Sequence, residues 1–402
     1  MKHREADKKN IVYIIENFPC PSETFIAREV ELMADENNLR VFAINGIPEK
    51  ISGTKFPINY FSEQKFRILL ETHLRIFIKN PLKYLSLVFF SINSENPLKS
   101  FSAFVKSGYF IRLVNGMKVE HVHSHFANLP TDIAMQISHY TGIPFSFTAH
   151  AKDIYVCGYD IRKKVKKSSF TITCNDSNRI LINKKTKNSF VKKIHCAYHG
   201  IDIGMWNFKP DRIQENSGAV KIITVGRLDE KKGYQYIISA LSNLIKKGYD
   251  IHWNIVGDGT YRNNLEVQIK NHILENNVTF HGWIDHNRIT DFLGNNEIFI
   301  QPSVKLNNGD MDGIPNVIME AMASGIPIIS TDISAITEVL NNKNAILIPP
   351  DNPSAIEAAV IHILSDPDSN KKRIKQARED ALKLDSGIHF TILKNIFSDY
   401  IG

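Results

Sequence analysis

The stretch VKIITVGRLDEKKGYQYIISALSNLIKKG, residues 220–248, decides the fold class. Its first seven residues are a β-branched run ending in glycine, the pattern of a buried strand. GRLDEKKG (226–233) is a short polar loop bounded by glycines, and apolar residues at helical spacing follow over 234–246. HWNIVG (252–257) then opens a second strand. Two consecutive strands joined through a helix run parallel, because a hairpin turn cannot make that connection.

The alternation continues outward on both sides. Downstream lie a helix from about 261 and strand-like runs VTFHG (278–282), IFIQP (298–302), IPIIS (326–330) and AILIPP (345–350). Upstream, the polar segment NFKPDRIQENSG (207–218) separates this series from an earlier one. The earlier series comprises IVYII (11–15), a helix over 22–33, LRVFAI (39–44), HVHSHF (121–126), a helix through 133–139, FSFT (145–148), TIT (171–173) and VKKIHCAY (191–198). A chain of 402 residues exceeds one typical core. The expectation is an α/β protein with two doubly wound Rossmann-like domains facing across a cleft, residues 1–206 and 207–385. An amphipathic helix over 386–402 is expected to pack back on the first domain.

Hydrophobic residues at 43% and charged residues at 23% match a soluble globular chain. Apolar runs such as YLSLVFFSI (84–92) fall far short of the ~20 residues that span a bilayer. The charged start MKHREADKKN lacks the apolar core of a signal peptide. Cys20, Cys157, Cys174 and Cys196 are widely spaced and form no C-x-x-C pair, which points to reduced thiols and a cytoplasmic location. The net charge of +7 is unevenly spread, since residues 63–118 carry nine bases against three acids together with many Phe, Leu and Ile. That mixture suits an anionic membrane surface, peripherally bound on the inner face, or an acidic substrate. Surface helices with solvated bases give the same pattern. No nucleic-acid-binding module accompanies the charge, so nucleic acid is not an expected partner.

In open parallel sheets, ligands bind beyond the carboxyl ends of strands, where helix N-termini present free amides. Arg227 and Lys232 bracket the 226–233 loop at such an end and can clamp a diphosphate, one as a planar fork and one as a point charge. A surface turn with solvated bases has the same local sequence. In DMDGIPNVIME (310–320), Pro315 suits a first helical turn and Ser324-Gly325-Ile326-Pro327 a stop, so Asp312 falls in a loop and Glu320 on the following helix. Asn316 and Glu320, one turn apart, share a face. His150 ends the run FSFTAH, at the matching edge of the first domain, where it can face the cleft. The alternating His121, His123 and His125 sit ~6.5 Å apart along a strand, so the outer two are too far apart to meet one zinc ion easily.

Together these motifs resemble the retaining glycosyltransferases of family 4, which have the GT-B fold. V-G-R-L-x-x-x-K-G, G-D-G, F-x-G and D-G-x-P-x-x-x-x-E-A-M-A-x-G stand in family order and spacing over residues 225–325. NFPCPSETFI (17–26), HSHFA (123–127) and FTAH (147–150) resemble the branch that makes exopolysaccharide, colanic-acid-type and O-antigen chains. The resemblance implies a nucleotide-diphosphate sugar as donor, UDP favoured, and a saccharide or lipid-linked saccharide as acceptor in the first domain. It implies Arg227 and Lys232 on the diphosphate and Glu320 on the ribose hydroxyls. Asp312 falls on the donor sugar, aided by the backbone of Gly313, Ile314, Pro315 and Asn316. Ile284 falls beside the nucleobase, and His150 near the reacting carbon. Ser22, Glu23 and Thr24 fall on the acceptor side, in a loop that replaces the glycine pair of some members. Glutamate is usual where this chain has Asp312. No cofactor and no metal are implied, and Asp310 stands outside the implied site. A non-catalytic nucleotide-sugar-binding subunit and a nucleotide-sugar 2-epimerase are the other readings of this fold.

Overall fold

The computed structural model describes residues 8–20, 23–46, 54–62, 64, 66–210 and 218–401. The chain forms two compact units, one of Met1–His199 with Phe390–Gly402 and one of Gly200–His389. The division falls at 199/200, ahead of the polar segment where the sequence sets it. The Ile201 amide donates to the Leu384 carbonyl at 2.9 Å and the Ser386 amide to the Ile201 carbonyl at 2.8 Å, which ties residues from Gly200 onward into the second unit.

The first unit holds a seven-stranded parallel sheet of β1 (Asn10–Asn17), β2 (Asn38–Asn45), β3 (Ile58–Tyr60), β4 (His121–His125), β5 (Phe145–Ala149), β6 (Thr171–Thr173) and β7 (Ile194–Cys196), in the order β3-β2-β1-β4-β5-β6-β7. Two details depart from the sequence reading. The edge strand β3 has three residues, too few to show a period. The run 191–198 spends its first residues in a 3-10 turn, Val191–Lys193, leaving three for β7. The second unit holds six parallel strands, β8 (Val220–Val225), β9 (Ile251–Val256), β10 (Val278–Gly282), β11 (Ile298–Gln301), β12 (Ile328–Thr331) and β13 (Ile346–Ile348), in the order β10-β9-β8-β11-β12-β13. Both sheets reverse their winding direction once, between β1 and β4 and between β8 and β11. At such a point the two loops leaving the strand ends diverge to opposite faces and open a crevice.

Central strands are apolar on both faces because helices cover both. Ile11 to Ile15 in β1 and Ile222 to Val225 in β8 are buried throughout. β4, β5 and β6 depart from this by burying polar side chains, most of all β4, a fully buried strand of sequence HVHSH. The closing helix Ser386–Ile401 buries Leu393, Ile396 and Phe397 against β1 and β2 of the first unit. The Phe397 ring centroid lies 5.0 Å from that of His123 and 5.1 Å from that of Phe170. Among the described residues, no helix is long and apolar enough to cross a membrane.

Phe397 supplies much of the lid over the buried histidines. Replacing it with Ala is expected to cost the first unit about 3 kcal/mol, the usual loss for a deleted core ring. Urea unfolding followed by a first-unit probe would measure this, and a change below about 1 kcal/mol would mean the helix contributes little there.

Candidate functional site

In the second unit the crevice is bounded by the loops leaving β8 and β11. Gly233 lets them approach closely: it has φ +75°, and a Cβ there would lie 1.9 Å from the Pro302 carbonyl oxygen. The Lys231 carbonyl accepts from the Val304 amide at 2.8 Å, so the loops are joined by backbone as well.

Charges complete the junction. Lys232 Nζ lies 2.8 Å from Asp312 Oδ2, and Lys231 Nζ lies 3.0 Å from Asp310 Oδ1 and 3.9 Å from Asp312 Oδ1. Ser303 Oγ donates to Asp312 Oδ2 at 2.9 Å. Burial opposes ionisation of Asp312, but Lys232 and Lys231 and the two hydrogen bonds outweigh it, and its pKa is lowered. The acid is therefore a carboxylate at neutral pH. Arg227 is different in kind, with more than half of its side chain exposed and a long 3.4 Å contact to Asp229.

Glu320 belongs to the helix Asn316–Ser324 and is buried, not a solvated surface acid. His286 Nε2 lies 3.0 Å from Glu320 Oε1, and the His286 ring meets Trp206 edge-on at 5.8 Å. Pro315 precedes the helix with φ −61° and ψ 125°, and no side chain caps the first turn. Gly313 and Ile314 fill the approach to it. Ile284 stands two residues after Gly282, which has φ +68°, and packs on the apolar core beneath this helix. Arg227, Lys232, Asp312, Gly313, Ile314, Pro315, Asn316 and Glu320 thus lie on the two loops at the switch point and the helix that follows.

The first unit carries a second polar constellation, at the carboxyl ends of β4, β5 and β6. His125 Nδ1 lies 3.3 Å from His150 Nε2, and His150 Nδ1 lies 3.2 Å from Cys174 Sγ. On the other side, His125 Nε2 lies 3.2 Å from Glu29 Oε1, which also accepts from Tyr13 OH at 3.1 Å. His121 and His123 share Ser146 Oγ at 2.7 Å each, and His123 Nε2 lies 3.1 Å from Thr148 Oγ1. Burial, with lesser repulsion from neighbouring histidines, holds His123 and His150 well below the usual histidine range, and burial lowers His121 to about 3. Burial pushes the Cys174 thiol up, so it is not a thiolate at neutral pH. Among the described residues, His150, Cys174 and His199, and Glu29, His123 and His125, bring three ligand-type atoms within 4.8 Å of one another. Both ring nitrogens of His123, His125 and His150 already have partners inside the chain.

His150 therefore sits inside this network and is buried, where the sequence leaves it as a lone strand-end residue. Glu23 precedes the helix Thr24–Glu36, which begins at Thr24, whereas Ser22 lies outside the described residues. Lys231, Ser303 and His286 were missed by sequence reasoning. The adjacent lysines of DEKKG and the paired acids of DMD were the one available signal. Asp310, expected outside the site, is tied to Lys231 at its rim.

Residues 207–380, all within the second unit, match the family described as Glycosyl transferases group 1. The putative colanic acid biosynthesis glycosyltransferase WcaL of Escherichia coli K12 is 33% identical over 190 residues, 47% of this chain and 46% of that protein. The amylovoran biosynthesis glycosyltransferase AmsK of Erwinia amylovora is 32% identical over 175 residues, 43% of this chain and 42% of its own. The match spans less than half the length of these curated relatives. Among solved structures, Anabaena HepE in complex with UDP superposes with a TM-score of 0.74 at 15% identity, covering 97% of this chain and all of that one. A glycosyltransferase from Rickettsia africae gives 0.73 at 16%, covering 98% and 99%. The fold is GT-B.

The histidine network has a pH consequence. Unfolded, His123 takes up a proton below about pH 6.5, whereas burial keeps the folded ring neutral. Stability present above that pH is therefore lost as pH falls. His123→Gln is expected to flatten the fall in unfolding free energy below pH 6.5 by about 1.4 kcal/mol per pH unit, the linkage slope of one proton. Urea titrations at several pH values would show it, and parallel slopes for the two proteins would contradict it.

Proposed function

We propose that the chain is a retaining glycosyltransferase that moves a sugar from a nucleotide-diphosphate donor, a UDP-sugar, to a growing lipid-linked surface polysaccharide at the cytosolic side of a membrane. The observation that carries this is the switch-point site of the second unit. There the two switch-point loops carry an exposed Arg227 and a lysine–carboxylate junction, and lead to a helix whose start has no side-chain cap and which carries the buried Glu320. The match to glycosyltransferase group 1 over the same residues supports it, as do relatives named for exopolysaccharide synthesis. The neighbouring HepE structure, a complex with UDP, supports the choice of base.

On this reading Arg227 and Lys232 neutralise the diphosphate, and the amides at the start of helix Asn316–Ser324 add partial positive charge. Glu320, oriented by His286, accepts from the ribose hydroxyls. Asp312, whose charge is held by Lys232, Lys231 and Ser303, accepts from donor-sugar hydroxyls. The bond from the anomeric carbon to the diphosphate oxygen breaks while a bond to the acceptor oxygen forms on the same face. The acceptor proton passes to the departing diphosphate. Catalysis is then positioning plus stabilisation of the leaving charge, with the two bases in the place a metal would take. For His150, the reading requires one ring nitrogen to exchange its internal partner for a ligand oxygen. Glu23 and Thr24 stand on the acceptor side, with Ser22.

Arg227 is exposed, so Arg227→Ala removes charge without opening a core. Release of nucleoside diphosphate from a panel of nucleotide sugars is expected to fall at least about 100-fold, the scale of a lost transition-state charge contact. Undiminished turnover would refute the assigned mechanism. A wild-type protein that binds nucleotide sugars without turnover would make the chain a non-catalytic binding subunit. The anomeric proton coupling of the product reads retention against inversion.

A further inference from the structure

The helices Phe66–Lys79, Pro81–Ile92 and Pro97–Asn115 of the first unit carry apolar side chains that the fold leaves exposed. Of the twenty large hydrophobic residues exposed among the described residues, ten lie between 70 and 101. They are ordered by helical period. Leu70, Leu74, Phe77 and Ile78 form one stripe, Leu82, Leu85, Phe89 and Ile92 a second, and Leu98 and Phe101 begin a third. The opposite faces of the same helices are the ones that pack inward, through Thr72 and Ile76, Leu87 and Ser91, and Ala103 and Phe104. Each helix is thus apolar on two sides, and only one side serves the core.

We propose that this outer face docks on an anionic lipid bilayer. Two features select that occupant. First, residues 66–101 contain five bases, Arg67, Arg75, Lys79, Lys83 and Lys99, against two acids, Glu71 and Glu95. All five bases are exposed, and one of the acids, Glu71, is bound to Arg75 at 2.6 Å. Apolar stripes bordered by lysine and arginine are the chemistry of a helix lying in the headgroup region, with its apolar face in the acyl boundary. Second, a symmetric contact with another copy of this chain would set the same basic face against itself, which charge repulsion disfavours.

The face is preformed and does not span. Asn80 caps its helix by accepting from the Lys83 amide at 3.0 Å, and Asn96 from the Lys99 amide at 3.2 Å. The first two helices have 14 and 12 residues, well short of the ~20 that cross a bilayer. They lie along the surface. This docking deepens the reading of a lipid-linked acceptor, but it rests on the exposed face alone and its test is independent of turnover.

The test is sedimentation of the full chain with vesicles of phosphatidylcholine, pure or mixed with phosphatidylglycerol. Binding is expected to be at least about tenfold stronger to the anionic mixture and to weaken as salt is raised. Both Leu85→Glu with Phe89→Glu and Lys83→Glu with Lys99→Glu are expected to lose at least about tenfold, with circular dichroism unchanged because all four positions are exposed. In the Leu85→Trp variant, the added tryptophan fluorescence is expected to be quenched by lipids brominated on the acyl chains. Equal binding to neutral vesicles, absence of binding, or no quenching in the Leu85→Trp variant beyond that of the parent chain would overturn the proposal. So would a concentration-dependent dimer that the Leu85→Glu and Phe89→Glu pair abolishes, which would assign the face to a second copy.

Discussion

The second unit is organised around a pair of lysine–aspartate contacts, Lys231 with Asp310 and Lys232 with Asp312. They join the loop leaving β8 to the loop leaving β11, the two loops that part at the switch point. Asp312 is almost wholly buried, and a buried carboxylate without a partner would cost several kcal/mol. The loops are thereby bound to one relative position, and the start of helix Asn316–Ser324 is set by that position. The two lysines are matched by the two aspartates, while Arg227, on the same loop as the lysines, is more than half exposed.

The first unit uses polar burial differently. Its chain from Glu29 through His125 and His150 to Cys174 contains no full ion pair between permanent charges, and burial keeps His150 neutral within it. Burial opposes ionisation of Glu29, but His125 and the hydrogen bonds from His125 and Tyr13 outweigh it and lower its pKa, so the network is anchored on a carboxylate whose hydrogen bonds fix the ring orientations. Phe126, beside His150 with ring centroids 4.4 Å apart, takes a left-handed φ of 73° at the end of β4. Strain at a strand end next to an ordered histidine is where binding sites tend to collect it. The helix Ser386–Ile401 closes the other side of the network through Phe397, so the end of the chain is part of the same packing problem.

Much of the architecture was legible because parallel strands flanked by helices leave a strong trace in the chain. The β-branched runs at 220–225, 278–282 and 298–301 appear as strands at nearly those positions. Asp312 in a loop and Glu320 on a helix followed from Pro315 and the Gly325 stop, and the helix starts one residue later than expected. The partners of those residues were not legible. Lys231, Ser303 and His286 reach the site through sheet order and loop closure, neither of which a local pattern encodes. The three histidines of β4 could be placed on one face of a strand, but their partners could not: Ser146 and Thr148 reach His121 and His123 from β5 through strand register, and His125 meets Glu29 and His150. Exposure of Leu82 or Leu98 was equally invisible, since an apolar helix residue reads the same whether it faces the core or the solvent.

Contact between Glu320 and the ribose of a nucleoside diphosphate, at the switch point of the second unit, is the point on which the proposed donor site stands or falls. Calorimetric titration of the wild type and Glu320→Ala with UDP and with 2′,3′-dideoxy-UDP closes a thermodynamic cycle on that one contact. Glu320→Ala is predicted to weaken UDP at least about tenfold yet leave the dideoxy ligand nearly unaffected, a coupling of about 1.4 kcal/mol or more. Equal losses for both ligands would place Glu320 away from the ribose and contradict it.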